Sequence, residues 1–310
     1  MAFEPSGHGQ HGAPADAFAR LGASRNFAVP PRAACASGFA GRWEGLTMKA
    51  ARPFLIVIVG LLVSHVASAQ PQPHRAEYSL RLGTAANAPR VGTAVQDLTS
   101  DCNVWRIQRR ITSDVSLTPS FKVDLAFRSE GEEDGQGKGL RYSTFQFLNG
   151  AEHQTKGTLR RTDGEIQGEI ATREGTEPVS LPPLTMLPVA ALGHLVHRLA
   201  EGANSFSMTL FAAEAAAAFL VDVEQLPLSA LPPAPPSLVP PTSPPTGRSW
   251  GVLMTVTRAG AQDGKPSLSM RARVFESGVL DQIVVVAGPA IIAAHLRALD
   301  MHKERGCSGG

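Results

Sequence analysis

Short segments in which apolar and polar residues alternate recur along most of this chain, and they constrain its fold more than any other feature. FKVDLAF and SFSMTLF are two of the clearest examples. A period of two is typical of strands that bury one face. The residues that these two segments place on a buried face are Phe121, Val123, Leu125, Phe127, Phe206, Met208 and Leu210. Further strand patterns are HRAEYSLRL, WRIQRRI, GLRYSTFQFL, KGTLRR, GEIQGEIA, AFLVDVE, GVLMTVT, LSMRARVFE and VLDQIVVV.

Polar turns separate these segments at short intervals. The pairs Asn149-Gly150, Asp163-Gly164 and Asp263-Gly264 suit hairpin turns in which both central residues have positive φ. Many short strands joined by hairpins predict an all-β fold, either an antiparallel barrel or a sandwich.

Three segments depart from the strand pattern. LPVAALGHLVHRLAEG has apolar residues at helical spacing, with Pro188 suited to a first turn and Gly202 to a C-terminal cap, which predicts one amphipathic helix. A proline-rich stretch within 227–247 predicts an extended loop, since proline cannot donate to a sheet ladder. Residues 289–303 fit a helix by composition and a closing strand by position, and the sequence does not decide between them.

The segment from Met48 to Ala69 has the pattern of a secretory signal peptide. Lys49 and Arg52 precede an apolar run that is too short for a typical membrane span, and an A-x-A site ends at Ala69. We expect cleavage near Ala69-Gln70, secretion to the periplasm and one mature domain over 70–310. Residues 1–47 are then either a misassigned start or a disordered extension, and the sequence leaves both open.

The charge balance argues against nucleic acid as a partner. Six of the 29 basic residues and three of the 27 acidic residues precede residue 70, so the remainder carries 23 basic and 24 acidic residues. Such a chain has no basic field to attract nucleic acid or an anionic membrane surface.

Two of the three cysteines, Cys102 and Cys307, lie in the predicted mature part. An oxidising compartment favours a bridge between them, and two separate thiols are the alternative.

The motifs with catalytic or ligand-binding associations lie in unsuitable contexts. Gly247 to Gly251 match G-x-S-x-G, but a proline-rich loop precedes Ser249 and a strand follows it, whereas a nucleophile elbow needs a strand and then a helix. His194 and His197 have metal-ligand spacing without a third ligand nearby, which favours a helix surface. The acidic run from Glu130 to Asp134 lacks calcium-loop spacing, which favours a solvated turn. We therefore predict no catalytic residues, no metal, no cofactor and no enzyme activity.

Several segments, in order, resemble the EipB family of periplasmic cell-envelope integrity proteins. They include PHRAEYSLRL, SDCNVWRIQRRI, LRYSTFQFLNGAEHQTKGTLRR, LPVAALGHLVHRLAEG, RSWGVLMTVT, RARVFESGVLDQIVVV and the terminal RGC, and together they cover nearly all of 73–307. The resemblance implies a many-stranded antiparallel open barrel, called a β-spiral, in the periplasm of a Gram-negative bacterium. It also implies a disulfide between Cys102 and Cys307, and it implies neither enzyme activity nor a cofactor.

Two functions from different classes follow. The first is a non-enzymatic protein that maintains cell-envelope integrity and stress resistance through contacts with another periplasmic protein or with an envelope component. The second is a carrier of a lipid or an acylated lipoprotein, because the implied fold is similar to the half-barrels of periplasmic lipoprotein carriers. In the carrier hypothesis Phe121, Val123, Leu125, Phe127, Phe206, Met208 and Leu210 face the ligand; in the alternative they fill an ordinary core.

Overall fold

Fourteen antiparallel strands pair into one continuous sheet in the part of the chain that the structure, a computed structural model, describes. This part comprises residues 70–118, 121–233, 235, 245–262 and 264–303, and excludes the side chains of 115–118 and 121–123. The strands are β1 His74–Leu82, β2 Arg90–Asp101, β3 Val104–Thr118, β4 Phe121–Asp134, β5 Gly139–Leu148, β6 Ala151–Thr162, β7 Glu165–Ala171, β8 Thr176–Leu181, β9 Ser205–Ala212, β10 Ala217–Leu226, β11 Ser249–Arg258, β12 Leu268–Phe275, β13 Leu280–Ala287 and β14 Ala290–Met301. One helix, α1 Pro188–Ala200, lies between β8 and β9.

The strand order shows an open barrel. The sheet runs β8 to β1, then β14 back to β9, so the first and last strands pair in its middle, with Tyr78 opposite Leu296. Its two edges, β8 and β9, are consecutive in the chain and are linked through α1. Before the helix, the N–H of Met186 donates to the carbonyl of Thr209 on β9 at 2.7 Å. The predicted all-β open barrel with one helix is confirmed.

Two hairpin turns have the backbone that their sequences predict. Asn149 and Gly150 have φ of 50° and 88°, and Asp163 and Gly164 have φ of 52° and 88°. Positive φ at both central residues is the conformation of a type I′ turn, whose twist matches that of the flanking strands. The third predicted pair includes Asp263, which lies outside the described residues.

The helix packs against the face of the sheet that also carries Leu98 and Ile107, which we call the inner face. Leu195, Val196 and Leu199 pack against residues of β9 to β12, and Val189 packs against Leu98, Trp105 and Ile107 of β2 and β3. The first turn of α1 therefore contacts β2 and β3, and its C-terminal part contacts β9 to β12. Gly202 has φ of 84°, as expected for a residue that ends a helix.

Three parts of the prediction are corrected or completed. Strands β2 and β8 were absent from the predicted set, and β4 continues to Asp134, through the acidic run predicted to be a turn. Residues 290–301 form the strand β14, which decides the ambiguity of the last segment. The proline-rich segment joins β10 to β11, starting with a 3-10 turn at Leu228–Ala230, and 236–244 lie outside the described residues.

The predicted leader and the residues before it also lie outside the described residues. Among the residues that are described, no helix is long and apolar enough to span a membrane.

Candidate functional site

The predicted ligand-facing residues lie in two separate places on the sheet. On β9, Met208 is buried and Phe206 and Leu210 are half-buried, and all three belong to the cluster that packs against α1. On β4, Phe127 is buried and Leu125 half-buried, and neither belongs to that cluster. The side chains of Phe121 and Val123 lie outside the described part, so a shared ligand-facing role for the seven residues stays a prediction.

A row of polar side chains crosses the inner face over five consecutive strands. Its members are paired in register and are Gln96 on β2, Arg109 on β3, Ser129 on β4, Thr144 on β5 and Thr155 on β6. We call this row the polar band. Ser129 and Thr144 are buried, whereas Gln96, Arg109 and Thr155 are half-buried. The band separates the row that packs under α1, which includes Leu98 and Ile107, from an apolar row that includes Ala94, Ile111 and Phe127.

Arg109 connects the polar band to the opposite side of the barrel. Its Nε donates to Oε1 of Gln96 at 3.3 Å, and its Nη1 donates to Oε1 of Glu214 at 2.6 Å. Glu214 lies in the turn between β9 and β10, 105 residues further along the chain. The side chains of Arg109 and Glu214 are 35% and 33% exposed, so solvent reaches this ion pair although Arg109 faces inward.

Tyr142 lies on the inner face of β5, within electrostatic range of the same carboxylate. Its residue is 4% exposed, its ring contacts Phe211 with 5.5 Å between centroids, and it covers Gly157 on the neighbouring strand. Burial, with a smaller contribution from the charge of Glu214, raises the pKa of Tyr142 to about 12. Within the part of the chain that is described, the buried Tyr142 hydroxyl has no hydrogen-bond partner. A buried hydroxyl without a partner is unfavourable unless a ligand or a water molecule forms a hydrogen bond with it.

Glu133 is the most buried acidic residue described. The prediction that the acidic run from Glu130 to Asp134 is a solvated turn is therefore wrong at this residue. It lies on the inner face of β4, is 1% exposed, and accepts hydrogen bonds from the backbone N–H groups of Val189 and Ala190 at 2.8 Å each. The first turn of a helix has unpaired N–H groups and a partial positive charge, and both favour a carboxylate there. Burial raises the pKa of Glu133 to about 7, against the opposing effect of these two hydrogen bonds.

A cavity of about 370 Å³ adjoins this cap, between α1 and the turn from β4 to β5. Trp105, Glu133, Arg161, His194 and His197 are among its lining residues. Arg161 is held in place by the carbonyls of Gly164 and Thr185. Burial lowers the pKa of His194, and Nε2 of His197 lies 3.2 Å from Oε1 of Glu201, the residue that follows α1. Among the described residues, no group of three or more His, Cys, Asp or Glu side chains could hold a metal ion, and His194 and His197 belong to no such group.

Ser249 does not lie on a nucleophile elbow. It is the first residue of strand β11, and its Oγ accepts a hydrogen bond from Nε of Arg273 on β12 at 3.0 Å. The sheet is antiparallel here, with Ser249 opposite Phe275, so the strand–turn–helix context of that motif is missing at this position.

Cys102 lies in the turn between β2 and β3, with φ of 54°. Cys307 lies outside the described residues, so its bridge to Cys102 stays a prediction. The chain before it, however, approaches this turn. The N–H of His302 donates to the carbonyl of Pro73 at 3.0 Å, and its Nε2 lies 2.9 Å from Oδ1 of Asp97. Lys303 and Asp101 line one cavity of about 540 Å³.

The fold and the inward-facing polar band define a β-barrel-like protein in which a single open sheet has one helix packed on its inner face. The family model described as EipB-like matches residues 66–303, and the chain belongs to this family.

One solved structure shows how closely the fold is shared. The crystal structure of a beta-barrel-like protein of the domain of unknown function DUF1849 from Brucella abortus matches with a TM-score of 0.65. The alignment covers 76% of this chain and 99% of that one, at 19% sequence identity, so it shows a common fold. No curated protein matches this chain.

Proposed function

We propose that this chain is a non-enzymatic periplasmic protein that maintains cell-envelope integrity under stress. The observation that carries the proposal is the match of the EipB-like family model to 238 residues, from 66 to 303. The signal-peptide pattern at 48–69 supports export, and the G-x-S-x-G match at Ser249 lies at the start of a strand, which is not the context of a nucleophile elbow. Action through contacts with a periplasmic protein or an envelope component is the mechanism that these observations favour.

Deletion of the gene in the source organism tests this proposal. The deletion strain is expected to lose viability on a bile-salt detergent and on a cell-wall antibiotic, and the full-length gene is expected to restore growth. A matched gene that keeps Met48 but lacks the codons for residues 49–69 should fail to restore it, because export is required. Wild-type resistance of the deletion strain under both stresses would contradict the proposal.

A second function, carriage of a lipid or an acylated lipoprotein, is supported by the inner face beyond the polar band. Ala94, Ile111 and Leu125 are only half-buried there, and Leu148 is 37% exposed. A barrel with an accessible apolar inner surface can enclose an acyl chain. Native mass spectrometry of the protein isolated from the periplasm tests this hypothesis, since a carrier would retain a stoichiometric lipid adduct and a protein with a filled core would not.

A further inference from the structure

We propose that the position occupied by the Glu214 carboxylate is an anion site, and that the anionic head group of a single-chain amphiphile displaces Glu214 there and binds Arg109 and Tyr142. This inference rests on the proposed carrier function and specifies the chemistry of its ligand. It draws on the donors at the site, on the way Glu214 is held, and on the apolar surface beside them.

The site has donors that its present contacts leave unused. A guanidinium carries five N–H groups, and Gln96 and Glu214 engage two of those on Arg109. The buried Tyr142 hydroxyl has no partner among the described residues and lies within electrostatic range of the same carboxylate. A head group with several acceptor oxygens would satisfy both residues, and charge-assisted hydrogen bonds of this kind are the stronger ones.

The carboxylate that now fills the site is held in a way that permits its release. Glu214 and Ala215 are exposed residues of the turn between β9 and β10, and Ala216 in that turn has φ of 48°. The ion pair that Glu214 forms with Arg109 is about one third exposed, and pairs of that exposure contribute little to stability. A ligand anion that brings its own apolar burial therefore competes with Glu214 on favourable terms.

The surface next to the site suits an acyl chain. Ile111 is two residues from Arg109 on the inner face of β3, and Leu125 and Leu148 continue the half-exposed apolar surface on β4 and β5. Polar donors at one end and an accessible apolar surface at the other match an amphiphile with one chain and an anionic head. A neutral amphiphile brings no anion to replace the Glu214 carboxylate, so it would gain no charge-assisted hydrogen bond from Arg109.

Fluorescence titration of the purified full chain with dansylaminoundecanoic acid, and with its neutral methyl ester, tests the proposal. Arg109→Gln should weaken binding of the acid about tenfold or more, through loss of charge-assisted hydrogen bonds. Glu214→Gln should tighten it, because the competing carboxylate is gone. Both variants break the same ion pair, so a general loss of stability would move the two affinities in one direction. Arg110→Gln is the matched control, since Arg110 is exposed on the opposite face of β3.

The outcomes separate this inference from the carrier function on which it rests. Equal binding of acid and ester, with no effect of Arg109→Gln, would overturn the anion site and leave the carrier function standing. Failure of both probes to bind would contradict both the anion site and the carrier function. Displacement of the acid by acetate at similar concentrations would also overturn the inference, because a site for free anions does not require an acyl chain. Tyr142→Phe should weaken binding of the acid while leaving the melting temperature unchanged or raised.

Discussion

The carboxylate of Glu133 on β4 caps α1 at Val189, 56 residues further along the chain, through a hydrogen bond of 2.8 Å. The residue at the usual capping position is Leu187, which has no side-chain acceptor, and Pro188 supplies no N–H. The first turn of the helix therefore depends on an acid from the sheet. The same contact fixes where the helix lies on the inner face.

Replacing Glu133 with Ala should lower the free energy of unfolding by about 3 kcal/mol, because two buried N–H groups lose their acceptor. Chemical denaturation of the wild type and the variant measures this difference. Glu132→Ala is the matched control, since Glu132 is exposed and forms an exposed ion pair with Arg106. Such a pair contributes at most about 1 kcal/mol. Equal losses in the two variants would contradict the role assigned to Glu133.

The stability that Glu133 contributes should depend on pH. Burial raises its pKa from 4.5 to about 7 in the folded protein, so between these values the folded state binds a proton that the unfolded state releases. The contribution is therefore complete below about pH 4.5, declines as pH rises to about 7, and is constant above that. The stability difference between the wild type and Glu133→Gln should accordingly shrink by roughly 2–3 kcal/mol from pH 5 to pH 8. A difference independent of pH would show that Glu133 keeps its ordinary pKa.

Local patterns predicted most of the sheet, and the two missed strands show where those patterns weaken. On β2 the inner positions are Gly92, Ala94, Gln96 and Leu98, so only one of them is a large apolar residue. Gly92 passes so close to the backbone of Thr112 that a side chain there would overlap it. On β8, Pro178 argues against a central strand, but β8 is an edge strand, where proline is tolerated.

The candidate site could not be predicted from local sequence, because long-range pairing assembles it. Arg109 lies in the run WRIQRRI, where only its place in the alternation distinguishes an inward arginine from its outward neighbours. Its partner Glu214 is 105 residues away, in a turn among alanines. Glu133 lies in an acidic run whose sequence predicts exposure to solvent. It is buried because the first turn of α1 lies against it. The signal for Arg109 was parity alone: Trp105 and Ile107 place residue 109 on the buried face.

The bridge between Cys102 and Cys307 should be found by peptide mapping under non-reducing conditions. Lys303 and Asp101, which precedes Cys102, line one cavity, and a chain of four residues can span up to about 14 Å. The bridge would close a loop of about 200 residues and stabilise the fold by up to about 5 kcal/mol. Cys307→Ser should therefore lower the free energy of unfolding by a few kcal/mol, whereas Cys35→Ser should not. Two alkylatable thiols in oxidised protein would contradict the pairing.

Leu184 has an unfavourable backbone conformation, and its exposed side chain gains little packing energy to offset it. It has φ of 63° in the turn from Pro182 to Thr185, whose N–H donates to the carbonyl of Pro182 at 3.2 Å, and the residue is 80% exposed. With Pro183 at the second position, the turn resembles type II, in which the third position favours glycine. Positive φ is unfavourable by about 1 kcal/mol or more for a side chain with a Cβ, and an exposed leucine recovers little of this by burial.

Leu184→Gly should therefore raise the free energy of unfolding by about 0.5–1 kcal/mol, after the larger backbone entropy of glycine in the unfolded chain is allowed for. Leu184→Ala is the control, because alanine removes the exposed side chain and keeps the strained φ, so it should leave stability nearly unchanged. Thermal and chemical unfolding of the three proteins separates the two effects. A gain in Leu184→Ala as large as that in Leu184→Gly would assign the effect to the exposed side chain instead of to the backbone.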